Sequence, residues 1–329
     1  MGTGALALVL STQAATWNLD WLNVVSAVAL VLASVLGVIL LPRYLKRLRN
    51  RLALMKEIAN PTAGPMLATL PAGVLVLSAA WGRIGSQLVS NELALWIAGM
   101  LLVVGTLLVI VFSLTWALAI MQADLQLNDI HGGWLIPPVM NLLVPIALAP
   151  IIVANTDLAE LLVIMGFAFY GLGILLFLGM FSLFVARMVL GSPFVGPLAT
   201  GLWIPLAPAG LIGLGAIRLQ QSAAAAQVAW LQTPSAFGVM ASAIGIGFGL
   251  WWSLYALIAF RSIRRTGTAP VQPGWWGLVF PIGALTLSTA VLGQTTDVTT
   301  IEILGVVGAV LLTTGWVVVA KVTFFQTKA

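Results

Sequence analysis

Runs of about twenty apolar residues recur from one end of the chain to the other, and no other feature restricts its fold so much. A helix rises about 1.5 Å per residue, so about twenty residues cross the roughly 30 Å hydrocarbon core of a bilayer. Because lipid offers the backbone no hydrogen bonds, segments that cross it are expected to be α-helices. Ten windows are predicted, at 2–15, 22–42, 62–81, 93–120, 134–153, 159–187, 197–216, 236–261, 275–292 and 302–325.

The composition agrees with a membrane protein. Of 329 residues, 61% are hydrophobic and only 7% are charged, whereas a soluble domain carries roughly 25% charged residues. The first window begins at Met1 without a basic leader or a cleavage site, so we predict a helix and not a signal peptide. We therefore expect a single all-α transmembrane domain over 1–329, multi-pass in the plasma or inner membrane.

The basic residues predict the orientation of the chain. If the N-terminus is cytoplasmic, only Arg83 and Arg218 of the 14 basic residues fall outside. Such an excess on one side is typical of cytoplasmic loops, and an even number of helices returns the C-terminus to the cytoplasm. The twelve predicted inside are Arg43, Lys46, Arg47, Arg49, Arg51, Lys56, Arg187, Arg261, Arg264, Arg265, Lys321 and Lys328.

The windows alternate in character along the chain. Even-numbered windows are long and aliphatic, as in "VVSAVALVLASVLGVILL" (24–41), whereas odd-numbered ones are rich in proline and glycine, as in "PTAGPMLATLPAGVLVLS" (61–78). The pattern predicts five helical hairpins, each pairing one broken helix with one straight helix. A short signature recurs in the broken helices, as Pro71-Ala72-Gly73, Pro208-Ala209-Gly210, Pro281-Ile282-Gly283 and, more loosely, Pro145-Ile146-Ala147.

Proline inside a helix removes one N–H and crowds the carbonyl one turn earlier, which bends the helix and frees that carbonyl. Free backbone groups at membrane depth are tolerated only where protein or a water-filled cavity receives them. The odd helices are therefore predicted to lie inside, in a quasi-fivefold arrangement around a central pore that glycine and alanine leave hollow. The candidates for kinking these helices or lining the pore are Thr3, Gly4, Pro71, Gly73, Pro137, Pro145, Pro205, Pro208, Gly210, Gly277, Pro281 and Ala284.

Phe280 stands out on the ninth predicted helix. With Gly277 three residues before it and Ala284 four residues after it, Phe280 is the only large side chain on a small helical face. It is therefore a candidate plug for a narrow pore. The alternative is that Phe280 packs between helices, as most phenylalanines in such a protein do.

Several classes of site are disfavoured by composition. The chain has no cysteine and one histidine, so disulfides, thiolate chemistry and Cys- or His-built metal centres are not expected, and no cofactor is predicted. No charged residue falls near the midpoint of a window, where proton relays commonly place one. The basic stretch 42–51 is interpreted as facing lipid headgroups and not nucleic acid. Asp124, Asp129 and His131 are interpreted as a solvated loop.

Five stretches carry a family resemblance: "MGTGALALVL" (1–10), "NPTAGPMLATLPAG" (60–73), "WLIPPV" (134–139), "PLATGLWIPLAPAG" (197–210) and "WWGLVFPIGALTLST" (275–289). Together they resemble the tellurite-resistance/dicarboxylate transporter family, which includes malate carriers, sulfite exporters and slow anion channels. The resemblance implies ten helices as five hairpins around a pore, usually a homotrimer with one pore per subunit, and an aromatic gate at Phe280. Family members usually carry a cytoplasmic stretch before the Met-Gly-Thr-Gly motif at which this sequence begins, which leaves the role of Thr3 open.

The residues alone do not distinguish anions from cations, because freed carbonyls repel anions; the resemblance implies anions. It favours a C4-dicarboxylate such as malate, with gated, passive movement. The windows lack a paired Arg or Lys to hold two carboxylates, which favours chloride, nitrate, sulfite or loosely held malate. A sulfite- or tellurite-type oxyanion exporter is the alternative within transport. A non-conducting membrane scaffold and an intramembrane enzyme are the alternatives of other classes, although no convergent acid–base or metal set supports an enzyme.

Overall fold

A computed structural model describes residues 1–194, 196–231, 236–265 and 273–325, and Lys328 lies outside these ranges. The described residues form α-helices joined by short 3-10 segments and turns, without a strand. The α-helices are α1 (Gly2–Trp17), α2 (Asp20–Leu48), α3 (Arg51–Ala59), α4 (Thr69–Ile84), α5 (Asn91–Met121), α6 (Ile136–Ala154), α7 (Ala159–Leu190), α8 (Leu206–Ala225), α9 (Phe237–Arg265), α10 (Trp276–Thr296) and α11 (Thr299–Phe325).

The all-helical membrane fold predicted from the apolar windows is confirmed. Within the described ranges, nine helical segments are long and apolar enough to cross a bilayer. The first predicted window corresponds to α1, which has 16 residues and is shorter than the other nine. Ten crossings therefore remain a prediction. The short helix α3 was not predicted; the Asn50 side chain caps it by accepting a hydrogen bond of 3.0 Å from the Ala53 amide.

The long helices pack as consecutive hairpins, namely α1 with α2, α4 with α5, α6 with α7, α8 with α9 and α10 with α11. The first helix of each hairpin also packs against the first helix of the next, from α1 through α4, α6 and α8 to α10. Helix α10 then packs against α1, which closes a ring of five. One long returning helix separates each pair of ring helices in sequence, with the short α3 added between α2 and α4, so all five run in the same direction.

Burial separates the ring helices from their partners. The most apolar stretches of α6 and α8 are 83% buried, whereas those of α5 and α11 are 22% buried. In α1, all residues from Thr3 to Ala14 are buried. The prediction that odd-numbered windows lie inside and even-numbered ones outside is confirmed. Large apolar side chains such as Leu107, Leu175 and Val310 are exposed on the outer helices, where the hydrocarbon of a bilayer would cover them.

The positions of the prolines correct one part of the prediction. Pro71 and Pro208 are the third residues of α4 and α8, Pro137 is the second of α6, and Pro205 is the N-cap of α8. At the start of a helix the amide N–H has no intrahelical partner, so these four residues begin helices and do not kink them from within. Among the predicted prolines, Pro145 and Pro281 lie inside a helix.

The break in these ring helices is a change of helix type. A 3-10 segment leads into four of the five, at Gly64–Ala68, Gly132–Leu135, Gly196–Trp203 and Pro273–Trp275. Proline is also not confined to the ring, because Pro42 lies inside the outer helix α2. Two copies of the repeated signature, at Pro71 and Pro208, therefore lie just after such a transition, whereas the copies at Pro145 and Pro281 lie inside α6 and α10.

Candidate functional site

A small cavity of about 20 Å³ lies between the ring helices, and all five contribute to its wall. Every lining residue is apolar. This volume is about what one water molecule needs, but a buried water also needs polar partners, which this wall lacks. The cavity is therefore dry. The lining residues are Ala5, Leu8, Val76, Ala79, Leu143, Ile146, Leu211, Leu214, Phe280, Gly283, Ala284 and Leu287.

Phe280 lines this cavity from α10, with 7% of its surface exposed. The neighbouring helices contribute side chains of similar reach, including Leu8, Leu143 and Leu211. The prediction that Phe280 is the only large side chain on a small helical face concerns α10 alone, and the other ring helices add large side chains to the cavity wall. The face of α10 that carries small residues lies opposite aliphatic faces of the other ring helices. Side chains from several helices therefore narrow the axis together.

Glycines in the ring allow neighbouring helices to approach one another closely. A Cβ atom on Gly4 would lie 2.7 Å from Val76 of α4, and one on Gly283 would lie 2.9 Å from Ala5 of α1. A Cβ on Gly210 would collide with the main-chain carbonyl of Ala284 in α10. Small residues permit such close approach of membrane helices. The small residues that were predicted to leave the axis hollow therefore also bring the ring helices close together.

Of the predicted site residues, the described structure brings Phe280 and Ala284 to the cavity wall. Thr3 faces outward, since its hydroxyl accepts a hydrogen bond of 3.1 Å from Trp316 Nε1 on α11. Gly277 lies near Thr200 at the start of α10, and Gly73 lies near Met1. The remaining candidates are buried away from the lining, at Gly4, Pro71, Pro137, Pro145, Pro205, Pro208, Gly210 and Pro281.

His131 joins two connecting segments near the N-terminal ends of the ring helices. Its Nε2 lies 3.2 Å from the Pro61 carbonyl, and its Nδ1 accepts a hydrogen bond of 3.1 Å from the Gly133 amide. The Trp134 indole donates to the same carbonyl at 3.0 Å. His131 is buried, in contrast to the solvated position expected from the sequence.

Asp129 does not act together with His131. Its carboxylate accepts a hydrogen bond of 2.9 Å from the Gln126 amide and so caps its own turn. Nowhere in the described part of the chain do three or more His, Asp or Glu residues form a group suited to a metal ion.

Sequence reasoning missed two arginines on ring helices. Arg83 and Arg218 had been placed in outer loops, but α4 continues to Ile84 and α8 to Ala225, so both arginines lie within helices. Each stands four residues beyond a cavity-lining residue, Ala79 in α4 and Leu214 in α8. That spacing was visible in the sequence, but the face of each helix that points inward was not.

Comparison with known proteins gives two kinds of relative. Two uncharacterized transporters of Methanocaldococcus jannaschii are 28% and 29% identical, over 71% and 75% of this chain. These matches cover 65% and 68% of the relatives, so the chain aligns with about two thirds of their length. The sulfite efflux pump SSU1 of Trichophyton rubrum is 23% identical over 99% of this chain and 88% of its own length.

A family profile matches almost the whole chain. The profile is that of SLAC1, described as voltage-dependent anion channel, and it covers residues 1–324. The resemblance found from the five quoted stretches is confirmed, because the matched region contains all of them. The chain therefore belongs to the SLAC1 family of voltage-dependent anion channels.

Proposed function

We propose that this protein moves small anions across the plasma or inner membrane along the axis of the five-helix ring. In this proposal the structure is the closed state, and Phe280 is part of the block. The observation that carries the proposal is the cavity on the ring axis, to which all five ring helices contribute and which Phe280 helps to line. The family supports anions as the transported species.

The physical argument concerns water. An anion in hydrocarbon loses its hydration and faces a cost of tens of kcal/mol at low dielectric, so a conducting path must be wet. A narrow, wholly apolar constriction excludes water and blocks ions without any charged group. The dry cavity at Phe280 has this character, so opening requires the cavity to widen until water enters it.

The proposed orientation puts the N-terminal ends of the ring helices at the cytoplasmic face. Helix N-termini carry partial positive charge, and five parallel helices present five such ends to the same side. The basic residues of α2 and α3 belong to that side, including Arg47, Arg51 and Lys56. Their long-range field concentrates anions at the inner entrance. We propose outward movement on this basis, with both termini in the cytoplasm.

Sulfite, malate, nitrate and chloride are the candidate substrates, and sulfite has support from the efflux pump that matches 99% of the chain. We propose that no enzymatic step accompanies transport, since the cavity wall carries no nucleophile, acid or base. A homotrimer in lipid is proposed from the family resemblance, with the exposed apolar outer helices facing lipid or neighbouring subunits.

The test is anion flux into proteoliposomes and current across planar bilayers with the Phe280→Ala protein. The substitution removes the phenyl group and so shortens the apolar block. Anion flux should therefore rise at least several-fold over that of the unaltered protein. Phe177→Ala is the matched control, because Phe177 on α7 is similarly buried, at 5% exposure, but lies off the cavity. Replacing the bath anion in turn by chloride, nitrate, sulfite and malate ranks the substrates.

The proposal fails if neither the unaltered protein nor Phe280→Ala passes any of the four anions while both remain monodisperse and helical. Equal flux through Phe280→Ala and Phe177→Ala would retain transport but remove Phe280 from the block. A truncated buried phenylalanine costs about 3–5 kcal/mol in stability, so helicity by circular dichroism accompanies each flux measurement.

A further inference from the structure

Arg83 and Arg218 continue the inward-facing surfaces of two ring helices. In α4, Val76 and Ala79 line the cavity, and Arg83 follows at i+7 from Val76. In α8, Leu211 and Leu214 line it, and Arg218 follows at i+7 from Leu211. Residues at i, i+3 and i+7 share one face of an α-helix. Both arginines therefore stand on the axial face, about one turn beyond the cavity.

The two guanidinium groups lie at the same end of the ring. All five ring helices run in the same direction, and both arginines lie in the C-terminal halves of their helices, Arg83 next to the last residue of α4 and Arg218 about two turns before the end of α8. Helix α6 lies between α4 and α8 in the ring, yet Arg83 and Arg218 are close enough to repel each other electrostatically. The repulsion thus acts across the mouth of the ring. The corresponding positions on the other ring helices are uncharged, at Thr12, Pro150 and Val291.

In the part of the chain that the structure describes, no carboxylate forms an ion pair with either arginine. The single ion pair among the described residues joins Arg47 to Glu57, at 3.1 Å. Arg218 is half-buried, and its Nη1 donates a hydrogen bond of 3.0 Å to Gln221 Oε1. Gln221 in turn donates at 3.3 Å to Thr295 Oγ1 on α10, which steadies the group. Arg83 is exposed at the mouth.

We propose that Arg83 and Arg218 form an anion-binding site at the mouth of the ring opposite the cytoplasmic loops, suited to a small oxyanion such as sulfite or a carboxylate. Its place on the transport path rests on the proposed function. An anion between the two groups lowers their mutual repulsion and pairs with guanidinium groups that form no ion pair among the described residues. Planar guanidinium groups pair with two oxygens of an oxyanion at once, whereas a spherical halide accepts less directed hydrogen bonds.

The predicted windows contain no paired Arg or Lys, and Arg83 and Arg218 lie two residues beyond the ends of the windows 62–81 and 197–216. The pair lies outside the dry cavity, so it does not compete with the apolar block. An anion that passes the block reaches the two arginines within about one further helical turn. The two arginines are then the last polar groups that an outgoing anion contacts before its release. For an anion that enters from that side, they are the first.

The test measures equilibrium binding with the full-length protein in nanodiscs. Isothermal titration calorimetry with sodium sulfite, sodium malate and sodium chloride should show tighter binding of the two oxyanions than of chloride. The Arg83→Gln/Arg218→Gln protein should bind sulfite and malate at least about tenfold more weakly, because charge-assisted hydrogen bonds are lost. Arg218→Lys keeps the positive charge but loses the planar guanidinium group. It should therefore weaken the binding of the oxyanions and leave the binding of chloride unchanged.

Lys56→Gln is the matched control, since it removes one positive charge from exposed α3 far from the pair. Unchanged oxyanion binding in the double variant, with the protein folded, overturns the site. An equal loss of oxyanion affinity in Lys56→Gln also overturns the site, because it would show that the overall positive charge of the protein, and not a local site, attracts the anion. Because calorimetry needs no flux, binding lost in the double variant without flux in any protein would retain the site and reject the transport proposal. If anion flux rises in Phe280→Ala but oxyanion binding does not depend on the arginines, the transport proposal is retained and the arginine site is rejected.

Discussion

At the scale of single residues, His131 shows what burial does to a group expected in solvent. It is the only histidine in the chain. Burial lowers its pKa below the ordinary value of 6.5, although hydrogen bonds to the main chain at Pro61 and Thr62 oppose that shift. The Gly133 amide donates to Nδ1, so the proton of the neutral ring resides on Nε2, where it donates to the Pro61 carbonyl. Protonation of Nδ1 would break the bond to Gly133.

The lowered pKa predicts how stability depends on pH. When the folded pKa lies below the unfolded one, the unfolded chain binds more protons, so the stabilising contribution is complete above about pH 6.5. That contribution is lost as the pH falls from 6.5 towards the folded pKa of His131. We expect the thermal midpoint of the detergent-solubilised protein to fall between pH 7 and pH 5.5, measured by light scattering or tryptophan fluorescence.

His131→Asn provides the comparison, because asparagine retains a donor and an acceptor but does not titrate in this range. Its midpoint should fall less steeply over the same interval. An equally steep fall in His131→Asn would assign the pH dependence to other groups.

At the scale of helices, glycine decides how closely the ring helices approach one another. A Cβ at Gly210 would collide with main-chain atoms of Ala284 and Leu285 on α10. Main-chain atoms cannot rotate away as a side chain does, so α8 and α10 would have to separate. We predict that Gly210→Ala lowers stability by about 1–3 kcal/mol, as overpacking commonly does, measured by the thermal midpoint or by denaturant titration.

Gly171→Ala in α7 is the matched control, since a Cβ there meets nothing within 4 Å. Alanine has a higher helix propensity than glycine by up to about 1 kcal/mol, so this variant should be neutral or slightly stabilised. Equal destabilisation by both changes would show that the contact between α8 and α10 is not the cause.

The helices also show which features a local sequence pattern can predict and which it cannot. Apolar length predicted each long helix, because an α-helix in lipid depends on hydrophobicity along the chain. Local pattern did not predict that Pro71 and Pro208 begin α-helices after 3-10 turns. Proline is compatible with the first turn of a helix and with a kink inside one, and only the neighbouring backbone geometry distinguishes them.

At the scale of the whole molecule, five helices together line the cavity on the ring axis. Phe280 of α10 meets Leu143 of α6 and Leu211 of α8 around the cavity. We therefore expect Leu143→Ala and Leu211→Ala, combined with Phe280→Ala, to raise anion flux further than Phe280→Ala does. Proteoliposome flux at equal protein loading measures the difference.

Leu142 provides the matched control for this series. It adjoins Leu143 in sequence and is fully buried, but it packs against Gly173 of α7 and lies away from the cavity. Leu142→Ala added to Phe280→Ala should leave flux unchanged, although it costs about 2–5 kcal/mol in stability. If the aliphatic variants add nothing beyond Phe280→Ala, the phenylalanine alone forms the block.

The sequence by itself determined that this chain is a bundle of membrane helices in which every second one is buried. These properties depend on hydrophobicity and on small residues along each segment, which are local and additive. Tertiary structure decided that the axis is closed, that Gly4 and Gly210 join helices and do not line a lumen, and that Arg83 and Arg218 lie on ring helices beyond the cavity. The physical reason is that the rotation of each helix about its own axis, and the point where it ends, are determined by its packing against its neighbours.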